Sequence, residues 1–205
     1  MDTTRILYYV MIAAASLISI TLHECAHGYV ALKLGDPTAK NSGRLTLNPI
    51  KHIDPVGLLM LIVLRIGYAK PVPVNPMYFS DRKKGMRMVS FAGPLTNLIL
   101  AFTAGRLAVL IMDLTGARSG FTYYLVMFLL IFTQLNIGYG VFNLLPFPPL
   151  DGSKIFASLL PVKWEAMFYR YQKYFYIVVL ALYLLGGLNV IIDPVISFIY
   201  KLILF

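Results

Sequence analysis

His23-Glu24-Cys25-Ala26-His27 closes a long apolar run and holds two of the chain's three histidines, four residues apart. On an α-helix, positions i and i+4 share a face, so both imidazoles can reach one metal ion. Glu24 stands one step round the helix, where it can address a water on that ion. The chemistry this H-E-x-x-H spacing offers is a pair of zinc ligands and a general base. The plain alternative is a polar helix end with two incidental histidines. Against it, His and Glu inside a membrane are costly and are placed there for function. Cys25, the only cysteine, cannot form an internal disulfide and reads as a small apolar filler.

The elements that carry this motif are those of a membrane protein. Hydrophobic residues make up 59% of the 205 residues, charged residues 13%, and mean hydropathy is +0.74. A soluble domain is nearer half apolar and a quarter charged. The expected fold is an all-α integral membrane protein, with length for about four spans of ~20 residues and their connections. Residues 1–205 are expected to form a single polytopic membrane domain. The net charge of +9 lies beside apolar segments, where it sets orientation. No water-facing basic surface is left to bind nucleic acid.

The four spans are expected at residues 6–34, 88–112, 122–145 and 174–192, with 195–205 as an amphipathic, interfacial tail. A cleaved signal peptide, with Arg5 ahead of the apolar stretch and Ala13-Ala14-Ala15 as the cut site, is the rival for the first. Such a cut would leave the motif helix too short to cross. Residues 56–66 are apolar for only about a dozen positions and read as a re-entrant or interfacial segment. Gly43-Arg44-Leu45-Thr46-Leu47-Asn48 alternates like a strand, so short membrane-associated β strands are expected there. Lys and Arg crowd the loops at 33–51, 70–87 and 154–173. That side is therefore read as cytoplasmic, with the motif close beneath it in a multi-pass cell-membrane protein.

A catalytic zinc takes three protein ligands and a water. Asp2, Asp113 and Asp193 fall at the far side, while Asp36, Asp54 and Asp81 sit in turns or charged clusters where solvated Asp is ordinary. Asp151 ends a proline-rich apolar run on the motif's side, where irregular backbone needs cover and a carboxylate needs a cation. Asp151 is favoured as third ligand, with Asp54 next.

With Asn143-Leu144-Leu145-Pro146 leading to Leu150-Asp151-Gly152, and with the Gly93-to-Asn97 spacing, the chain resembles the site-2 protease family of intramembrane zinc metalloproteases. It is most similar to small members without a PDZ or other accessory domain. The resemblance implies one zinc ion on His23, His27 and Asp151, with Glu24 as catalytic base. It also implies hydrolysis of peptide bonds in transmembrane protein substrates within the lipid bilayer. A helical substrate must unwind, and the Gly43, Leu45 and Leu47 strand could receive it by edge pairing. Asn143 is a candidate to hold the unwound backbone, or else a helix-end cap. His52 reads as a solvated loop residue outside the site.

The alternative function is a catalytically silent zinc-binding protein or metal carrier on the same scaffold. The intact Glu24 and the scarcity of other ionisable residues along the spans, Arg106 being the main one, speak against it. A peptidase with Glu165 as third ligand would need that residue to leave a polar connection.

Overall fold

A computed structural model describes residues 3–55, 57, 69–118 and 120–205. Among the described residues seven α-helices follow in order: α1 (Thr3–Lys33), α2 (Thr38–Asn41), α3 (Arg82–Thr115), α4 (Gly120–Asn143), α5 (Asp151–Leu159), α6 (Val162–Leu184) and α7 (Gly187–Leu204). Single 3₁₀ turns occupy Pro49–His52 and Pro76–Tyr78. By length and composition α1, α3, α4 and α7 can each cross a membrane.

These four helices gather on α3, whose small residues allow close approach. Ala101, Ala104, Gly105 and Ala108 are all buried. Ala104 meets Ala15 of α1 and Phe132 of α4, while Ala101 meets Ile137 of α4 and Ile203 of α7. A side chain at Gly105 would collide with Ile203. Ala15 lies by Phe132 and Ser19 bonds Asn136, a step of four on both helices, so α1 and α4 run parallel. Asn97 reaches His23 and Ala104 reaches Ala15, so α3 runs against α1. Ile196 lies by Gly138 and Ile203 by Thr133, so α7 runs against α4. The histidine end of α1, the start of α3 and the end of α4 therefore share one end of the bundle. Local signals set the boundaries of α3: the Asp81 carboxylate accepts from Lys84 N at 2.9 Å, and Gly116 ends the helix at φ +65°.

Several expectations change. The strand at 43–48 does not form; among the described residues the only β pairing is an isolated antiparallel bridge between Ile53 and Ala69. The alternation there is real, but its backbone groups are already used. Arg44 N and Leu45 N bond back to Ala39 O at 2.9 and 3.3 Å. Asn48 N donates to Thr46 Oγ1, and the Thr46 carbonyl accepts from Cys25 and His52. The span placed at 174–192 is two helices, because Gly186 turns the chain at φ +72°. The tail at 195–205 continues α7, with Ile203 buried in the bundle. Asp193 lies on α7 beside a cavity of about 530 Å³ shared with Gln134, Tyr139 and Ser197, not at the far side. The segment at 56–66 lies outside the described residues apart from Gly57.

The loops over the site end are held by polar bonds. Asp36 is fully buried, not solvated as its turn position suggests. Its carboxylate accepts from Thr38 N at 2.9 Å, from the Thr38 hydroxyl and from Asn75 N at 2.7 Å. Burial opposes its ionisation, but these bonds outweigh burial and hold the carboxyl below its usual range.

Candidate metal centre

α1 presents His23 and His27 on one face, both 7% exposed, with their Nε2 atoms 3.0 Å apart. Asp151, the first residue of α5, brings Oδ2 to 3.1 Å from His23 Nε2 and 3.0 Å from His27 Nε2. No other group of three His, Cys, Asp or Glu residues among the described ones converges in this way. Gly152 permits the turn that delivers Asp151, since a Cβ there would strike the Leu144 and Leu145 carbonyls.

The far nitrogen of each imidazole fixes its tautomer. His27 Nδ1 lies 2.7 Å from the Val89 carbonyl, which can only accept, so Nδ1 carries the proton. His23 Nδ1 lies 2.5 Å from Asn97 Oδ1. The Asn97 amide donates to Asn136 Oδ1 at 2.8 Å, and the Asn136 amide donates to Ser19 Oγ and to Phe132 O, each at 2.8 Å. Ser19 Oγ closes the chain on Ala15 O at 2.7 Å. This direction of donation, fixed by the two backbone carbonyls, leaves His23 Nδ1 as a donor too. Asn97, Asn136 and Ser19 are completely buried.

In their neutral form, the form in which imidazole binds a metal, both rings therefore point Nε2 lone pairs at the Asp151 carboxylate. The Lys154 ammonium on the other Asp151 oxygen favours the ionised carboxylate. Three buried acceptors about 3 Å apart with no proton among them repel unless a cation lies between them. Two imidazole nitrogens and one carboxylate oxygen are a donor set that zinc takes. Gly93 of α3 keeps the space before them open. A Cβ there would stand 2.5 Å from His27 Nε2 and 2.6 Å from His23 Nε2. The second Asp151 oxygen accepts from Lys154 Nζ at 3.1 Å. Beside the triad, Glu24 Oε2 accepts from Val72 N at 2.8 Å.

The remaining sequence candidates lie apart. Asp54 does not join the triad; its Oδ1 accepts from Gly57 N at 2.9 Å. The Asn143 amide bonds Tyr139 O at 3.0 Å, within its own helix. Gly43 is exposed at φ +65°, Leu47 is exposed and Leu45 leans toward Gly28, so none lies on a strand edge. His52 is buried at 2% exposure and donates to Thr46 O at 2.8 Å, so it is not a solvated loop residue. The His23–Asn97–Asn136–Ser19 chain escaped the sequence reading as a unit. Asn97 and Asn136 were visible as polar residues in apolar spans, the signal that could have found them.

The model of peptidase family M50 matches residues 107–186, a stretch that includes Asp151. The chain is 44% identical to "Putative zinc metalloprotease YwhC" of Bacillus subtilis over 87% of its own length and 84% of that protein's. It is 36% identical to "Putative zinc metalloprotease Rip2" of Mycolicibacterium smegmatis, covering 74% of this chain and 59% of the relative. No solved structure matches.

Proposed function

The chain belongs to peptidase family M50, the site-2 protease family, and from that premise we propose that it is an intramembrane zinc protease that cuts transmembrane protein substrates. The observation that carries the reading is the triad of bare acceptors on His23, His27 and Asp151, with the Glu24 carboxylate alongside. His23, His27 and Asp151 would hold the zinc. When bound, zinc supplies a Lewis acid that polarises the scissile carbonyl and acidifies a water. Glu24 takes the attacking water's proton and returns it to the leaving amine. Asn97 and Val89 fix the two rings so that their Nε2 atoms stay bare and aimed. Asp151, with Lys154 on its other oxygen, contributes one oxygen to the triad.

The basic loops on the motif's side support a site near the cytoplasmic face of the cell membrane. The parallel α1 and α4 and the antiparallel α3 and α7 support that orientation, because they return the loops before α3 and after α4 to that same side. On this reading residues 1–205 form one polytopic membrane domain.

The test uses purified protein in liposomes with a model transmembrane substrate. Glu24→Gln should lower cleavage by roughly 10²- to 10⁴-fold with bound zinc unchanged. Turnover equal to wild type would contradict the mechanism.

A further inference from the structure

Arg44 stands outside the metal triad, yet the residue is only 9% exposed and its bonds lead to the base. Arg44 Nη2 donates to Lys70 O at 2.6 Å and to Pro71 O at 3.3 Å. The next backbone N–H in the chain is that of Val72, and it donates to Glu24 Oε2 at 2.8 Å. The strap that carries it is tied on both sides. Lys70 N donates to His52 O at 2.9 Å, Ala69 pairs with Ile53, and Asn75 N donates to Asp36 Oδ2 at 2.7 Å. Gly28 of α1 lets the strap lie down on the helix, since a Cβ there would meet Val72 Cγ1 at 3.1 Å and Leu45 Cδ1 at 3.2 Å.

We propose that Arg44 is a positioning residue for the catalytic base: by clasping the Lys70 and Pro71 carbonyls it holds the Val72 N–H against Glu24. This deepens the protease reading and rests on it. One oxygen of Glu24 is thereby fixed by a backbone donor, leaving the other to face the attacking water. A carboxylate on a flexible stem otherwise samples several rotamers, and misplacement of a reacting group by 1 Å costs about 10²-fold in rate. Both bonds leave the one nitrogen, Nη2; the planar guanidinium aims its two N–H groups in fixed directions, where a lysine ammonium rotates freely and sits on a shorter reach. The bond from Val72 is made by the backbone, so its direction depends on where the strap sits and not on the Val72 side chain.

The experiment compares Arg44→Ala, Arg44→Lys, Val72→Pro, which deletes the N–H in an already extended, proline-flanked segment, and the Arg44→Ala/Val72→Pro double variant. Expected is a kcat lower by about 10- to 100-fold in Arg44→Ala and Val72→Pro, with KM and zinc content as in wild type. Arg44→Lys should recover only part of the loss. The double variant should be no slower than Val72→Pro alone, because both changes remove the same contact. Unchanged kcat, loss of zinc, or multiplying losses in the double variant would overturn the proposal. Hydrogen exchange at the Val72 amide, read on the same proteins, needs no turnover. Protection lost in both Arg44→Ala and Glu24→Ala supports the strap even if wild type cleaves nothing, which would sink the protease reading alone. Protection unchanged in Arg44→Ala overturns the strap whatever the activity.

Discussion

Two helical regions of the chain are built in opposite ways. Where α1, α3 and α4 meet, Ser19, His23, His27, Asn97, Asn136 and Asp151 are all buried, and their polar atoms are linked in one chain. In α6, none of the described residues is buried, and Trp164, Ile177 and Leu184 are more than half exposed. An apolar solvent makes the first arrangement costly and the second ordinary. These six polar residues hold a geometry, and each has a partner that fixes its direction. The apolar residues of α6 need only be compatible with their surroundings, so their identity carries little information.

The sharpest contrast comes from adding one methyl group. Gly93→Ala would put a Cβ 2.5 Å from His27 Nε2 and should weaken zinc binding by at least about 100-fold. A zinc titration that matches wild type would break the claim that α3 shapes the site. Next in size is Asn97→Leu, which frees His23 Nδ1 and leaves Asn136 short of a partner. Removing such an outer partner costs about 10- to 100-fold in metal affinity, and competition with a chelator would measure it.

A third change tests the loops and leaves the metal ligands alone. Asp36→Ala should lower stability by about 2–3 kcal/mol, the scale of buried hydrogen bonds to a charged acceptor, in a denaturation series in detergent. The folded-state acidity of Asp36 is depressed. Its contribution is therefore present above the unfolded-state value, about 3.9, and is lost as pH falls through the lower folded value. The gap between wild type and Asp36→Ala should hold at neutral pH and close only under strong acid. The smallest effect belongs to α6. Ile177→Ala should leave turnover and zinc affinity within roughly twofold of wild type; a large loss in either would show that α6 belongs with the site.

Periodicity and composition foretold the helices that carry the site because long apolar runs and small-residue faces are local signals. The triad was legible for a related reason: His23 and His27 share a face by spacing alone, and Asp151 was the carboxylate in a setting that wanted a cation. What stayed hidden depends on partners distant in sequence. Thr46 O is claimed by Cys25 and His52, and no alternation pattern announces that a strand's carbonyl is already taken. The break at Gly186 lay inside a continuous hydropathy peak, where two glycines stop a helix without changing its apolar character. Asp36 and His52 read as solvated because their neighbours are turn residues, yet tertiary contacts bury both. Arg44 reads in sequence as one more basic loop residue, because its two carbonyl partners lie 26 and 27 residues away.

The central claim is that His23, His27 and Asp151 form one zinc site beside a base that is not a ligand. It is tested most directly by the zinc content of purified wild type, Glu24→Gln and Asp151→Ala, measured by atomic spectroscopy after dialysis against a mild chelator. The account predicts stoichiometric zinc in wild type and in Glu24→Gln, and its loss in Asp151→Ala. Zinc retained in full by Asp151→Ala would contradict it.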